Sequence, residues 1–215
     1  MNYGWIVANC LIVVASSVCA VYINHGTPRE ERQPLPWRMT LLVFGITAIV
    51  TTLQFVQPAT LNLLDRDPEA LRSGELWRLV TPLFVQPAGL IQCIMNASLL
   101  FIFMPASERI YGKGVLAVYF GAGIIGQITN FLWDMPLRGG SSTAIFGLMG
   151  SLLVYVIRNR RRIPTLFLVS AFVGFIGAAT SIILRDGHGA GLLAGAALGV
   201  VCLSAGPAKP ARPPL

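Results

Sequence analysis

Long runs of hydrophobic residues without charge alternate with short polar connections along the chain. A helix needs about 20 apolar residues to cross the hydrocarbon core of a bilayer. Seven runs come close to that length, and we predict a membrane helix in each: 3–23, 39–56, 90–106, 115–133, 139–157, 164–184 and 188–206. The uncharged stretch from Leu79 to Ser107 is too long for one straight span, so its first part, up to Gly89, is predicted to lie at the membrane interface.

The amino-acid composition agrees with this pattern. Only 12% of the residues are charged and the mean hydropathy is +0.68, whereas soluble domains contain roughly 25% charged residues. The apolar runs are continuous rather than alternating, which disfavours a transmembrane β-barrel. The sequence therefore predicts an all-α polytopic membrane protein.

The net charge of +7 has two interpretations. A basic balance can indicate binding to nucleic acid or to anionic lipid, but the basic residues here follow the positive-inside rule. If the arginine cluster at 158–162 is cytoplasmic, eleven of the 16 basic residues face inward: Arg29, Arg32, Arg38, Arg109, Lys113, Arg158, Arg160, Arg161, Arg162, Lys209 and Arg212. The N-terminus is then outside and the C-terminus inside, and no nucleic-acid partner is expected.

Four segments follow from these boundaries. They are an extra N-terminal transmembrane helix over 1–24, a cytoplasmic linker over 25–37, a six-helix membrane domain over 38–206 and a cytoplasmic tail over 207–215. The first run could instead be a signal peptide that is cleaved near Val18-Cys19-Ala20, but no Lys or Arg precedes it, and a signal peptide needs a positive n-region. A retained helix is therefore favoured.

Ser142 and His188 lie at the predicted outer ends of two of these helices. A serine hydroxyl becomes a nucleophile when a base takes its proton. The other histidine, His25, falls on the inner side, a membrane thickness away. Ser142 precedes Arg158 by about 24 Å of helix, so in a hydrocarbon core of about 30 Å it is predicted to lie several ångströms below the outer surface.

Small residues recur on both of these helices. Glycines occupy positions 187, 191, 195 and 199 of the last run, and Gly147 and Gly150 follow Ser142. Such spacing lets membrane helices approach backbone to backbone, which would bring Ser142 within reach of His188. On spacing alone, a plain packing seam with a helix-capping serine and an interfacial histidine is an equally good interpretation.

The motifs as a set resemble the rhomboid family of intramembrane serine proteases. Four segments carry the resemblance in the family's order: Glu75 to Phe84 with its Trp-Arg pair, Asn96 with Glu108-Arg109 and Gly112, Ser142 to Gly150, and His188 to Gly195. The resemblance extends from about Pro36 to Gly206. It implies a six-helix rhomboid-like core, to which the first helix is an addition, in a one-plus-six arrangement.

By this resemblance Ser142 is the nucleophile and His188 the general base of a Ser-His dyad. The oxyanion is held by the Ser142 backbone N–H, Asn96 and Gln92. The glycines that resemble the family's packing positions are Gly147, Gly150, Gly191 and Gly195. The implied substrates are membrane-anchored proteins cleaved near the outer face of the bilayer, and no metal or cofactor is implied. A bacterial cytoplasmic membrane is expected, with a mitochondrial inner membrane as the alternative.

The sequence departs from the family at three positions. Thr143 stands where the family has a glycine, and Gln92 and Gln86 stand where it has histidines. Gln92 keeps an amide that can donate to an oxyanion. The departures leave a second hypothesis open, an inactive or weak rhomboid relative that binds membrane helices. A small transporter is least favoured, because the predicted spans lack charges.

Smaller candidates have simpler interpretations. Asp186 lies two residues before His188 and could orient it, but we interpret it as a solvated loop charge. Ser141 is the alternative nucleophile. Gln127 and Asn130 are polar residues within a predicted span, where hydrogen bonding between helices is their expected role.

Overall fold

A computed structural model of the chain describes residues 3–25 and 34–205. Within these ranges the chain contains no β-strand. The α-helices are α1 (Tyr3–His25), α2 (Arg38–Val56), α3 (Ala59–Leu64), α4 (Pro68–Arg72), α5 (Leu90–Tyr111), α6 (Val115–Leu132), α7 (Ser142–Arg158), α8 (Thr165–Ile183) and α9 (Gly187–Ala205). Short 3-10 helices cover Leu76–Leu79, Thr81–Phe84 and Gly112–Gly114. The all-α class predicted from the sequence is confirmed.

The seven predicted hydrophobic helices correspond to α1, α2 and α5 to α9. Five stretches are long and apolar enough to cross a membrane: Tyr3–His25, Arg38–Val56, Leu90–Leu132, Thr165–Ile183 and Gly187–Ser204. The third stretch contains α5 and α6 together, and α7 is a shorter apolar helix of 17 residues. A polytopic α-helical fold is thus confirmed, while the one-plus-six number of crossings stays a prediction.

Helix α7 is the centre of the bundle. Twelve of its 17 residues are buried, and it packs against α9, α6, α5, α8 and α1. The peripheral helices α1, α2 and α8 are only about a third buried or less in their apolar windows, and most of their exposed side chains are apolar. An apolar exterior around a buried central helix is what a bilayer, rather than water, stabilises.

Glycines let α7 and α9 touch along their backbones. A β-carbon at Gly195 would collide with the carbonyl oxygen of Gly147, and one at Gly150 would collide with that of Leu192. Gly191 lies equally close to the α7 backbone. All four glycines predicted to lie at packing positions are therefore in this contact. A β-carbon at Gly150, Gly191 or Gly195 would push α7 and α9 apart, whereas one at Gly147 would collide with Ala122 of α6.

Helix α5 is longer than the sequence predicted. We expected it to end at about Ala106, but it continues through Pro105 to Tyr111 and ends at Gly112, where φ is +55°. The expectation was wrong because the charged Glu108 was taken to mark the end of the helix. Glu108 is buried, and both its carboxylate oxygens lie 3.2 Å from the backbone nitrogen of Met39. A carboxylate at the positive end of α2 is favourably placed.

Helix α1 is docked on the rest of the bundle. It packs mainly along α8 and also touches α7 and α5; Gly177 of α8 makes room for Ile12 and Ala8 of α1. The helix ends at His25, one residue beyond the predicted boundary. Most of the predicted linker (25–37) and the whole predicted tail (207–215) lie outside the described residues.

Candidate active site

Ser142 is the first residue of α7, and a tight loop leads into it. Gly140 has a φ of +121°, which side-chain-bearing residues rarely adopt. Its N–H donates to the Pro82 carbonyl at 2.8 Å, and a β-carbon there would collide with the amide of Gln92. The backbone conformation and the available space both require a glycine two residues before the serine.

His188 lies in the first turn of α9 and faces Ser142. Its Nε2 atom is 2.8 Å from Ser142 Oγ, and its ring centroid is 4.6 Å from that of Phe146 and 6.3 Å from that of Trp5. The predicted proximity of the two side chains is confirmed. His25 lies about 30 Å along α1 from Trp5 and cannot serve the serine.

Asp186 lies beside His188 and is not solvated. Its side chain is 2% exposed, and its Oδ1 atom is 2.6 Å from His188 Nδ1 and accepts the His188 backbone N–H at 3.1 Å. Burial raises the pKa of the Asp186 carboxyl, but hydrogen bonds from His188 and Asn9 lower it, and the net direction is below its ordinary value. The interpretation of Asp186 as a solvated loop charge is therefore wrong.

The two candidate oxyanion amides converge on the loop before the serine. A β-carbon built on Gly140 would overlap the Gln92 amide nitrogen and lie 3.6 Å from that of Asn96. Gln92 donates to the Gly139 carbonyl at 3.1 Å and accepts the Ala88 N–H at 2.8 Å. Both amides are thus held next to Gly139 and Gly140, in the loop that leads to Ser142. Their role toward an oxyanion stays a prediction.

Asn96 is held by a buried pair of glutamines. It donates to Gln86 Oε1 at 2.8 Å. The backbone of Gln86 makes two bonds with the side chain of Gln54 on α2: its N–H donates to Gln54 Oε1 at 2.8 Å, and its carbonyl accepts from Gln54 Nε2 at 2.9 Å. Gln86, where the family has a histidine, thus links α2 to the Asn96 amide.

Thr143 is accommodated without separating α7 from α9. Its side chain points toward α6, where Gly126 leaves the space that its methyl group fills. Gln127 of α6 lies 3.5 Å from the Thr143 hydroxyl and from the Gly140 carbonyl. The hydrogen bonding between helices that we expected of Gln127 is confirmed. The extra bulk of Thr143 is accommodated by the space at Gly126, and its hydroxyl lies within reach of Gln127.

Arg66 holds the loop that leads to the nucleophile, and sequence reasoning did not identify it. It is 1% exposed and donates to Gln127 Oε1 at 2.8 Å and to the carbonyls of Met135 and Leu137 at 2.8 and 2.9 Å. Burial and, to a smaller degree, Arg138 lower the pKa of Arg66 to about 10, so it stays charged at neutral pH. Nothing in the sequence distinguishes it from Arg72, whose side chain is 60% exposed.

The arrangement as a whole suits nucleophilic chemistry. A serine hydroxyl within hydrogen-bond distance of a histidine that is itself oriented by a third group is the signature of an activated nucleophile. Amide donors and the first turn of a helix surround it, where negative charge is stabilised. In the described part of the chain no group of three or more His, Cys, Asp or Glu residues is arranged to hold a metal ion.

Comparison with known proteins places this site in a family. The family model described as the Rhomboid domain matches residues 73–205, which include Ser142, His188 and the two candidate oxyanion amides. The chain is 36% identical over 145 residues to the rhomboid protease GluP of Bacillus subtilis (strain 168), a match that covers 63% of this chain and 28% of GluP.

Two relatives from Toxoplasma gondii match as well. The chain is 29% identical over 220 residues to rhomboid-like protease 2, covering 93% of this chain and 70% of the relative. It is 35% identical over 89 residues to rhomboid-like protease 3, covering 40% of this chain and 34% of the relative. The chain therefore spans between about a quarter and seven tenths of the length of these relatives.

Proposed function

The chain belongs to the rhomboid family of integral, multi-pass membrane proteins, and on that premise we propose that it is an intramembrane serine protease with Ser142 as nucleophile and His188 as general base. The observation that carries the proposal is the distance of 2.8 Å between Ser142 Oγ and His188 Nε2. Relatives named as rhomboid proteases support the same reaction class.

The proposed reaction has two stages. Ser142 Oγ attacks the scissile carbonyl while His188 Nε2 takes the hydroxyl proton, and the resulting imidazolium gives that proton to the leaving amine. This leaves an acyl-enzyme on Ser142. Water, deprotonated by His188, then attacks the ester and releases the second product and the free serine.

The negative charge that develops on the carbonyl oxygen needs donors. The backbone N–H of Ser142 is in the first turn of α7, where N–H groups have no partner within the helix. A carboxamide has two N–H donors, and Asn96 and Gln92 each direct one to a protein acceptor among the described residues. The second N–H of each amide is proposed to serve the oxyanion.

The substrates and the setting are also part of this proposal. We infer that the substrates are membrane-anchored proteins cut near the outer face of a bacterial cytoplasmic membrane. The basic residues support this orientation, because the end of the bundle that carries Ser142 is then the end opposite the cluster at 158–162. A serine at the first turn of a mostly buried helix suits a site that opens outward to water.

Labelling of the purified protein with a fluorophosphonate tests the nucleophile. We expect wild-type protein to be labelled and to cleave a transmembrane reporter, and Ser142→Ala to do neither. His188→Ala should lower both rates by several orders of magnitude, since the base is lost. Ser141→Ala is the matched control and should retain labelling, and labelling that disappears in Ser141→Ala but persists in Ser142→Ala would assign the nucleophile to Ser141.

A non-catalytic relative that binds membrane helices is the second candidate. The observation that favours it is that Gln92 uses both its amide oxygen and one N–H to hold the loop around Ala88 and Gly139. If wild-type protein shows neither fluorophosphonate labelling nor cleavage of several reporters, but still binds transmembrane peptides in detergent, this function replaces the protease.

A further inference from the structure

A continuous line of hydrogen bonds connects Ser142 to helix α1. Ser142 Oγ is 2.8 Å from His188 Nε2, and His188 Nδ1 is 2.6 Å from Asp186 Oδ1. The other carboxylate oxygen, Asp186 Oδ2, accepts from Asn9 Nδ2 at 2.7 Å. Asn9 Oδ1 in turn lies 3.4 Å from the hydroxyl of Ser181 on α8.

We propose that Asp186 is a positioning residue that acts through His188 and extends the dyad to three members, and that α1 holds this carboxylate in place through Asn9. The inference rests on the proposed function, because Asp186 acts on substrate only through the histidine. It also gives the N-terminal helix, which precedes the residues matched by the family model, a direct part in the active site.

The chemistry follows from the two histidine nitrogens. A neutral imidazole has one N–H and one lone pair. A carboxylate can only accept, so Asp186 Oδ1 fixes the proton on Nδ1 and leaves the lone pair of Nε2 toward the Ser142 hydroxyl. When Nε2 takes the serine proton, the new positive charge lies next to the carboxylate, which stays ionised.

Among the described residues of the helices packed around His188, no other charged side chain lies near its imidazole ring, so Asp186 is the charge that acts on it. Helices α6, α8 and α9 contain no charged residue, and the one in α7, Arg158, is at its far end. The ionisable groups of α1 at this end are Tyr3 and Cys10, and the neighbouring Arg185 is exposed. Asp186 Oδ1 lies 2.6 Å from His188 Nδ1, and the side chains of His188 and Asp186 are 18% and 2% exposed. The interaction of the carboxylate with the imidazole is therefore only weakly screened by water.

A purely structural role must be separated from this one. Asp186 also accepts the His188 backbone N–H at the start of α9. This is an N-cap bond, and it would by itself give the Asp186 carboxylate a structural role. Asparagine caps a helix as well as aspartate does. Asp186→Asn therefore keeps the cap and the shape but removes the charge, and its amide can donate to Nδ1 and so hold the proton on the wrong nitrogen.

The experiment measures turnover of a transmembrane reporter and the rate of fluorophosphonate labelling against pH, with full-length protein in detergent. We expect Asp186→Asn to lower kcat by about 100-fold or more with little change in KM. Its pH profile should also differ from that of wild type, because the imidazolium loses its counter-charge. Its thermal unfolding midpoint should stay near that of wild type.

Helix α1 is tested with a matched pair of variants. Asn9→Leu keeps the number and branching of the side-chain heavy atoms but leaves Asp186 Oδ2 without its donor. We expect kcat to fall about tenfold, as when a buried charged acceptor loses one hydrogen bond. Ser16→Ala removes a buried hydroxyl on the same helix that has no hydrogen-bond partner among the described residues, and its kcat should equal that of wild type.

Three outcomes are distinguishable. If Asp186→Asn keeps wild-type kcat and pH profile while wild type cleaves, Asp186 is only a cap and the inference is wrong. If Asn9→Leu and Ser16→Ala lower kcat equally, the part assigned to α1 is wrong. If wild type itself is neither labelled nor active, the proposed function fails, and the inference falls with it.

Discussion

The backbone of Gly195 on α9 lies directly against the backbone of Gly147 on α7, with no space for a β-carbon between them. This contact is about one and a half to two turns from Ser142 and His188, so it sets the distance between the two helix ends. The position of a reacting group matters strongly, since a displacement of 1 Å can cost about 100-fold in rate.

Gly195→Ala should therefore separate the nucleophile from the base. We expect the thermal unfolding midpoint to fall and the rate of fluorophosphonate labelling to drop by tenfold or more, because α7 and α9 must move apart. Gly45→Ala is the control, since a β-carbon at Gly45 meets nothing within 4 Å and alanine is the better helix former. An unchanged labelling rate in Gly195→Ala would show that this contact does not position the serine.

Gln92 should affect turnover more than substrate binding. The oxyanion exists only in the transition state, so Gln92→Ala should lower kcat by about 10²–10³ with little change in KM. Gln92→His restores the residue that the family has at this position and should be tolerated or improve activity. Ser98→Ala on the same helix, where the exposed hydroxyl donates to the Ile94 carbonyl, serves as the control. Wild-type kcat in Gln92→Ala would exclude the oxyanion role.

Arg66 should stabilise both the fold and the site. Arg66→Lys cannot reach Gln127 and two carbonyls at once, so buried acceptors lose their partners at a cost of about 2–4 kcal/mol. We expect a lower thermal unfolding midpoint and a lower labelling rate, since the loop that leads to Ser142 loosens. Arg72→Lys, at an exposed ion pair with an N–O distance of 3.8 Å, should change neither. Equal behaviour of the two variants would contradict the assigned role.

Orientation can be tested with single cysteines in a background in which the native cysteines are replaced by alanine. Ser73 and Arg161 are both exposed. Ser73 belongs to a connection that we propose lies outside, and Arg161 belongs to the arginine cluster that we propose lies inside. In intact cells a membrane-impermeant maleimide should label Ser73→Cys, while Arg161→Cys should need permeabilisation. The reverse pattern would invert the proposed topology.

The sequence predicted the long helices because each is an uncharged apolar run, and a bilayer makes that pattern decisive. Ser142 and His188 were predicted for a different reason. Their motifs are local and resemble those of a known family in sequence and order. The glycine spacing alone was equally compatible with a plain packing seam.

Asp186 and Arg66 could not be placed from the sequence. Both lie in connections, and a charged residue in a connection is most often solvated. Asp186 accepts a hydrogen bond from Asn9, 177 positions away in the chain. Arg66 donates to carbonyls of a loop about 70 positions later. The predicted end of α5 was too early for a related reason, because Glu108 accepts a hydrogen bond from the backbone of Met39 on another helix.

The paired bonds between Gln54 and Gln86 have a mechanical consequence. The C-terminal end of α2 cannot tilt away without breaking two buried hydrogen bonds or taking Gln86 with it. Each broken bond costs about 1–3 kcal/mol when a group is left unpaired. Because Gln86 accepts from Asn96, a shift of α2 by a bilayer of different thickness should reach the amide next to the nucleophile. Reconstitution in lipids of increasing acyl length should then change kcat in wild type, and this dependence should weaken in Gln54→Leu.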